Sequence, residues 1–278
     1  MCAAINSSEF RRLPPEPITS RRNPLVARLR ALHQARGRRE QGLLLLEGTH
    51  LLQELLRLQL QPQQVLATAA WMAAHAELLA PLAQPVQPVG EAVLEAVATT
   101  ETPDGVVMTL PVSALPRALD GAPFVLALDQ LQDPGNLGTL LRTALAAGVH
   151  QVWQAGGADP HQPKVLRASA GAVLALPVLR DPDRQGLMQR LERARAAGHQ
   201  LVATLVAPSA EPYWQLDWTR PTVLLLGNEG AGLHPQLEAL ATHRVTIPHS
   251  PAVESLNVAV AAGPLLLERW RQERMPAN

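Results

Sequence analysis

The segment Thr222–Gly263 decides the fold, and it reads TVLLLGNEGAGLHPQLEALATHRVTIPHSPAVESLNVAVAAG. Its apolar run Val223–Leu226 has the length of a buried strand and leads into the glycine-rich turn Gly227–Gly232. A second strand is predicted over Arg244–Ile247, and a long apolar helix is predicted from Ser255 onward. Two strands that each end in a loop favour a ligand site at the carboxyl edge of a parallel sheet. The glycine turn alone is equally typical of an ordinary tight turn.

A second segment with the same arrangement lies at Phe124–Gly148 and reads FVLALDQLQDPGNLGTLLRTALAAG. A buried strand is predicted over Val125–Leu128, followed by a loop and by a helix that begins near Asn136. Further strands are predicted at Val152–Gln154 and Leu201–Leu205. Strands that alternate with helices indicate an α/β domain with a parallel sheet.

Three blocks of sequence then carry a family resemblance: DPGNLGTLLRTA at 133–144, LLLGNEGAGL at 224–233 and IPHSPAVESLNVAVAAG at 247–263. A fourth block, PKVLRASAGA at 163–172, agrees with them. In this order and spacing they resemble the SpoU (TrmH-type) branch of the SPOUT methyltransferases, which methylate ribose 2′-hydroxyls of RNA. The resemblance implies that residues 123–278 form a SPOUT methyltransferase domain, in which a trefoil knot binds S-adenosylmethionine.

The resemblance also implies which residues hold the cofactor. The contact positions of the family's motifs fall on Gly227, Ile247 and Leu256, and neighbouring positions add Leu226, Asn228, Pro248 and Val258. These residue types suit the ligand, because apolar side chains cover the faces of an adenine ring while backbone groups read its polar edge. Without the motif, Ile247 and Leu256 would be interpreted as core residues.

The catalytic positions implied by the resemblance are Arg142, Asn136, Glu229, Ser255 and Asn257. In the family's reaction a ribose oxygen attacks a sulfonium methyl carbon, which requires no metal. An arginine is a poor base, because its ordinary pKa exceeds about 12. Arg142 is therefore expected to orient a phosphate and to stabilise developing negative charge. The alternative is that Arg142 pairs with Glu229 or Asp133. For Ser255 and Asn257, helix capping is an equally open interpretation.

The first part of the chain predicts a smaller domain. Residues 1–40 hold nine arginines against three glutamates, a local charge of +6, whereas the whole chain has a net charge of +0. We expect a flexible basic tail over 1–22, a small α/β RNA-binding domain with a largely parallel sheet over 23–110, and a proline-rich linker over 111–122. The domain resembles the substrate-binding domain of many SpoU enzymes. Contacts to RNA phosphates are expected from these side chains: Arg28, Arg36, Arg38 and Arg39, with Lys164 and Arg167 in the second domain.

The composition favours a cytoplasmic location, which stays an expectation. The single Cys2 excludes an intrachain disulfide framework and a multi-cysteine zinc site. There is no apolar run of 18 residues, so no membrane span is expected, and no histidine has the spacing of a metal ligand. The family resemblance implies RNA and a second copy of the chain as partners, and neither a membrane nor a metal is expected.

Several alternatives remain open at this point. The favoured substrate is a guanosine in the ribosomal RNA of the large subunit, and transfer RNA is the second candidate. A non-catalytic RNA-binding assembly factor with the same fold is the rival class. A Rossmann dinucleotide enzyme does not fit, because the first strand leads to DPGNLG rather than to GxGxxG. The homodimer is expected to form through the apolar C-terminal helix and these residues: Val258, Val260, Leu265 and Leu266.

Overall fold

The computed structural model describes residues 15–207 and 209–274. The chain divides into two compact units, Met1–Pro111 and Val112–Asn278. The boundary falls at the start of the segment for which a linker was predicted, 111–122. That segment is part of the second unit, where the Leu119 N–H donates to Gln151 and Ala122 is buried in the core.

The first unit is a four-stranded sheet with helices around it. Its strands are β1 (Leu43–Glu47), β2 (Gln64–Ala67), β3 (Gln87–Pro88) and β4 (Val106–Pro111). Its helices are α1 (Pro24–Ala31), α2 (Ala35–Gln41), α3 (Thr49–Arg57), α4 (Ala69–Ala74), α5 (Ala76–Leu79) and α6 (Glu91–Val97). Asn23 caps α1 by accepting the Leu25 N–H at 2.9 Å, and Pro24 occupies the first turn.

The sheet of the first unit is mixed, so the prediction of a largely parallel sheet was wrong. The strand order is β1-β4-β2-β3, and β4 runs antiparallel to both β1 and β2. Among the four strands, all within the described residues, β2 and β3 are the one pair that runs in parallel. Alternation of helices and strands predicts the elements, but it does not determine where the last strand inserts. Here β4 takes the central position because its residues are buried from Val106 to Leu110.

The first unit also begins earlier than residue 23. Ile18 pairs with Val89 in a parallel bridge, and its backbone exchanges hydrogen bonds with Pro88 and Gly90. Arg21 donates to the Ala92 carbonyl at 2.8 Å. The prediction of a flexible tail over 1–22 was therefore wrong for its last residues, because the extended backbone there adds to the sheet edge. The rest of that tail, 1–14, lies outside the described residues.

The second unit is built on a seven-stranded sheet in which every pairing is parallel. Its strands are β5 (Phe124–Asp129), β6 (Gln151–Ala155), β7 (Val178–Asp181), β8 (Gln200–Thr204), β9 (Glu211–Pro212), β10 (Thr222–Leu226) and β11 (His243–Thr246). Its helices are α7 (Pro134–Ala146), α8 (Pro163–Ala168), α9 (Arg184–Ala196), α10 (Pro235–Glu238) and α11 (Val258–Arg274). The strand order is β7-β6-β5-β10-β8-β11-β9.

Both faces of the sheet are covered. Val125 and Val223 pack with Leu187 and Leu191 of α9, while Phe124 on the other face lies under Arg269 of α11, with the guanidinium carbon 4.9 Å from the ring centroid. Strands covered on both faces read as continuous apolar runs, which explains why the sequence predicted them well. Helix α11 continues through Pro264. In the described part of the chain, no helix is long and apolar enough to cross a membrane.

Candidate active site

A cleft of about 430 Å³ lies at the carboxyl edge of the sheet in the second unit. It forms where β8, β10 and β11 end, and where α11 begins. Pockets for small ligands are about 300–1,000 Å³ in volume, so the cleft has the size of a cofactor site. Its lining includes most of the predicted site residues: Asn136, Leu226, Gly227, Asn228, Glu229, Ile247, Ser255, Leu256, Asn257 and Val258.

The glycine turn after β10 is closed on itself. Asn228 and Gly232 exchange two backbone hydrogen bonds, of 2.9 and 3.0 Å. A methyl group at Gly227 would stand 2.5 Å from the Gly232 carbonyl oxygen and closer still to two other backbone atoms, so only glycine fits there. The turn therefore brings bare backbone to the wall of the cleft.

A polar cluster joins three segments of chain beside this turn. The Glu229 carboxylate accepts the N–H groups of Gln132 and Asp133, at 3.2 and 3.1 Å, and the Asn136 amide at 3.3 Å. The Asn136 amide oxygen in turn accepts from the Asn257 amide at 3.2 Å. The glycine turn, the start of α7 and the start of α11 are thus linked by side-chain hydrogen bonds.

The Glu229 carboxyl is held in its charged form. Partial burial raises the pKa of Glu229, but hydrogen bonds from its own N–H, from Asp133 and Gln132 and from Asn136 outweigh that effect, so its pKa lies below the ordinary value. A carboxylate with a lowered pKa is a weak proton acceptor. Glu229 accepts two backbone N–H groups of the loop before α7, so its carboxylate holds that loop beside the glycine turn.

Asn257 caps α11, as one of its two interpretations predicted. Its side-chain oxygen accepts the N–H groups of Ala259 and Val260, at 2.9 and 3.3 Å. Its amide nitrogen still faces Asn136 in the cleft lining. Capping and a role in the site are therefore compatible, because each uses a different end of the side-chain amide.

Arg142 lies outside the cleft lining and is exposed on α7. The proposed pairing with Glu229 or Asp133 does not form: within residues 15–207 and 209–274, neither carboxylate contacts the guanidinium. Pro248 is also absent from the cleft lining. It lines a neighbouring hollow of about 330 Å³ that shares Ile247 and His249 with the cleft.

Several cleft residues were not predicted. Thr204, Leu205 and Val206 line the cleft from the end of β8, and Leu233 lines it from the end of the glycine turn. The first three residues follow a predicted strand, and the carboxyl end of any parallel strand next to β10 lies at the same edge of the sheet. The sequence did not show that β8 is the strand next to β10, so these residues could not be assigned to the cleft.

The cleft fits S-adenosylmethionine. Leu226, Ile247 and Leu256 give it apolar walls on three segments, and Gly227 gives it exposed backbone. Thr204 belongs to the lining, and its hydroxyl is buried and has no hydrogen-bond partner within the described residues. These residues would hold the cofactor. The described residues include no group of three or more His, Cys, Asp or Glu side chains arranged for a metal ion.

The prediction that Arg38 contacts RNA was wrong. Its side chain is buried, and Nη1 donates to the carbonyls of Leu32 and His33 at 2.8 and 2.9 Å, so it closes the α1–α2 turn. Sequence alone could not separate it from its neighbours. Arg36 pairs with Glu40 at 2.7 Å in a solvated ion pair, and Arg28 donates to Gln64 at 2.9 Å.

The other predicted RNA contacts lie near the surface. Arg39 and Lys164 are exposed, and Arg167 is half-buried at the end of α8. Glu47 is buried and accepts N–H and hydroxyl hydrogen bonds from Thr99 and Thr100. It joins β1 to the segment after α6.

The prediction for the dimer surface needs a correction too. Leu265 and Leu266 are fully buried within the unit and are not available to a partner. The large apolar side chains that α11 exposes are Val260 at 65%, Leu267 at 46% and Trp270 at 42%. The sequence pattern of α11 is apolar on both faces, which is why it did not separate core from surface.

Comparison with known proteins gives matches over both units. The model of the SpoU rRNA methylase family matches residues 123–267, and that of the MRM3-like substrate binding domain matches residues 23–108. An uncharacterised tRNA/rRNA methyltransferase of Synechocystis is 46% identical over 261 residues, which cover 92% of this chain and 94% of that protein.

Two further relatives extend the comparison. The 23S rRNA (guanosine(2553)-2′-O)-methyltransferase RlmP of Bacillus subtilis is 32% identical over 254 residues, covering 90% of this chain and 97% of RlmP. The crystal structure of an AdoMet-bound rRNA methyltransferase from Sinorhizobium meliloti superposes with a TM-score of 0.78 at 32% identity, covering 94% and 99% of the two chains. The fold, the cleft and these matches agree, and the chain belongs to the SpoU family of RNA 2′-O-ribose methyltransferases.

Proposed function

We propose that the protein methylates the ribose 2′-hydroxyl of a guanosine in 23S ribosomal RNA. Membership of the SpoU family makes it an RNA 2′-O-methyltransferase that uses S-adenosylmethionine. The finer assignment is supported by RlmP, whose name gives a 23S guanosine and which matches along nearly its whole length. Transfer RNA is the second candidate, because the name of the Synechocystis relative covers both RNA classes.

The observation that carries the proposal is the polar cluster in the lining of a cofactor-sized cleft. When bound, the cofactor supplies an electrophilic methyl group on a positively charged sulfur. Leu226, Ile247 and Leu256 bind its apolar surfaces and exclude water. Asn136 and Asn257, fixed by Glu229 and by the cap of α11, orient the ribose. Positioning of this kind lowers a barrier because the reactants meet in a productive geometry.

Arg142 is proposed to orient an RNA phosphate rather than to remove the 2′-hydroxyl proton. It is exposed, and the guanidinium suits two-point binding of a phosphate. Glu229 is a poor candidate for the base as well, since hydrogen bonds lower its pKa. In this proposal Glu229 fixes the loops, and the proton leaves to solvent through the open side of the cleft.

We also propose that the second unit forms a trefoil knot and a homodimer. Family membership supports the knot, together with a C-terminal helix that follows the cleft and packs on α7. Exposed Val260, Leu267 and Trp270 on α11 support the dimer. Small-angle scattering that gives a monomer mass at working concentration would refute the dimer.

The experiment is a methyl-transfer assay with labelled S-adenosylmethionine and unmodified ribosomal and transfer RNA pools. We expect label in 23S RNA, at one alkali-resistant ribose linkage after a guanosine. Arg142→Ala should abolish transfer while S-adenosylmethionine binding stays unchanged, because Arg142 lies outside the cleft lining. Arg193→Ala, at an exposed arginine of α9, is the matched control and should retain activity.

The other outcomes are equally informative. Label in transfer RNA alone would show that transfer RNA, and not ribosomal RNA, is the substrate. Cofactor binding without transfer to intact ribosomal RNA, naked transfer RNA or assembling large subunits would favour a non-catalytic assembly factor. Transfer by Arg142→Ala at the wild-type rate would refute the role of Arg142.

A further inference from the structure

A buried carboxylate lies at the carboxyl end of β5, outside the cleft lining. The Asp129 side chain is 0% exposed. Its Oδ1 accepts from Arg184 Nε at 2.6 Å, and its Oδ2 accepts the His234 N–H at 3.0 Å. Because a buried charge must be paired and hydrogen-bonded, this arrangement constrains both partners.

The second partner is the end of the glycine turn. His234 follows Leu233, which lines the cleft, and precedes α10. The bond from Asp129 to the His234 backbone therefore fixes the point at which the turn leaves the cleft. The side chain of His234 is not used for this bond, so any residue with a backbone N–H could be held in the same way.

Gln130, which follows Asp129 in the chain, binds the start of the same turn. The Gln130 carbonyl accepts the Asn228 side-chain amide at 2.9 Å. Gln130 has a φ of 52°, in the left-handed region that non-glycine residues seldom adopt, and its own N–H donates to the Ala155 carbonyl at 2.9 Å. The last residue of β5, Asp129, and the residue after it, Gln130, thus bind the two ends of the turn.

We propose that Asp129 is a positioning residue for methyl transfer. Together with the Gln130 carbonyl it fixes the position of the glycine turn against the end of β5, and Arg184 holds the carboxylate in the orientation that this requires. The inference rests on the proposed cofactor site. Loss of the negative charge would release the end of the turn at Leu233 while Asn228 stays bound, so the wall of the cleft would move without a change in any lining residue.

The fold provides a matched control on the same helix. Asp181 ends β7 and pairs with Arg190 of α9 at 2.7 and 3.2 Å. The two arginines are equally exposed, 30% for Arg184 and 31% for Arg190, and the carboxylates are 0% and 14% exposed. In the described part of the chain, Asp181 makes no hydrogen bond to the glycine turn. A general loss of an ion pair is therefore separable from a loss of turn position.

The experiment measures the dissociation constant of S-adenosylmethionine by calorimetry, with the melting temperature, for the full chain and for Asp129→Asn and Asp181→Asn. Asp129→Asn should weaken binding about tenfold, or about 1.4 kcal/mol. Asp181→Asn should change it less than about twofold, although both variants lose an ion pair. In steady state, Asp129→Asn should raise the KM for the cofactor and leave the KM for RNA unchanged.

A second pair of variants covers the case in which Asp129→Asn fails to fold. Arg184→Gln and Arg190→Gln change half-exposed side chains, and only Arg184→Gln should weaken cofactor binding. Equal effects within each pair, or none, would overturn the inference, since Asp129 would then be purely structural. A wild-type protein that binds no S-adenosylmethionine would overturn the proposed function itself, and the inference with it.

Discussion

Replacement of Gly227 by alanine is the most direct test of the cleft. The added methyl group would lie 2.5 Å from the Gly232 carbonyl oxygen and closer to the Gly232 carbonyl carbon and the Leu233 nitrogen. Ordinary contacts begin at 3.4 Å, so the two sides of the turn must separate by at least about 0.9 Å. All three atoms belong to the backbone, so no side-chain rotation can relieve the overlap.

The size of the effect follows from this displacement. A misplacement of about 1 Å near a reacting centre can cost about 100-fold in rate, and overpacking costs about 1–3 kcal/mol of stability. We expect Gly227→Ala to lower kcat/KM about 100-fold and to weaken S-adenosylmethionine binding at least about tenfold, which is about 1.4 kcal/mol.

The matched control lies in the same turn. A methyl group at Gly230 would meet only the Asn228 side-chain oxygen, at 3.7 Å, and the backbone there has no positive φ. Gly230 also lines the cleft, but Gly230→Ala should leave the shape of the turn unchanged and weaken cofactor binding much less than Gly227→Ala. The assay is calorimetric titration with S-adenosylmethionine, followed by single-turnover methyl transfer. Wild-type binding by Gly227→Ala, or an equal loss in Gly230→Ala, would refute the reasoning.

Two further predictions concern other parts of the chain. Arg38→Ala should lower the free energy of unfolding of the first unit by about 1.5–3 kcal/mol, because it removes charged hydrogen bonds to Leu32 and His33. Arg39→Ala should leave the denaturant midpoint unchanged and make the salt dependence of RNA binding shallower by about 0.7–0.9 in log–log slope; an unstable Arg39→Ala or a stable Arg38→Ala would contradict this assignment. The pKa of Glu229 is lower in the folded protein, so its carboxylate stabilises the fold above the unfolded-state pKa, and that contribution is lost as the pH falls through the folded-state pKa. The stability difference between wild type and Glu229→Gln should thus be largest near neutral pH and shrink as the pH falls below the ordinary glutamate pKa of about 4.3. A difference that grows in acid, in urea titrations from pH 3 to pH 8, would show that the sign is wrong.

The candidate site could be predicted from sequence to the extent that it depends on local rules. Strands β5 and β10 were read correctly because strands buried on both faces are continuous apolar runs. The glycine turn, the cap at Asn23 and the start of α11 follow from backbone chemistry that a few neighbouring residues determine. The family motifs also predicted which residues should lie together, and ten of those residues line one cleft.

Other features depend on contacts between distant segments, and only the tertiary structure decided them. Arg38 and Arg39 are adjacent in the sequence, yet Arg38 is buried because the turn between α1 and α2 presents carbonyls to it. Leu266 and Leu267 are one residue apart on α11, and burial against the rest of the unit separates core from surface.

The strand order shows most clearly the difference between what local sequence determines and what tertiary packing decides. The sequence determined that β4, β8 and β10 are strands, but not that β4 inserts antiparallel between β1 and β2, nor that β8 pairs with β10 and so brings Thr204 into the cleft. Register and neighbours are set by which apolar faces fit together over the whole unit. The His234 N–H donates to Asp129 across 105 residues of sequence. This hydrogen bond forms only because packing brings the carboxyl ends of β5 and β10 together.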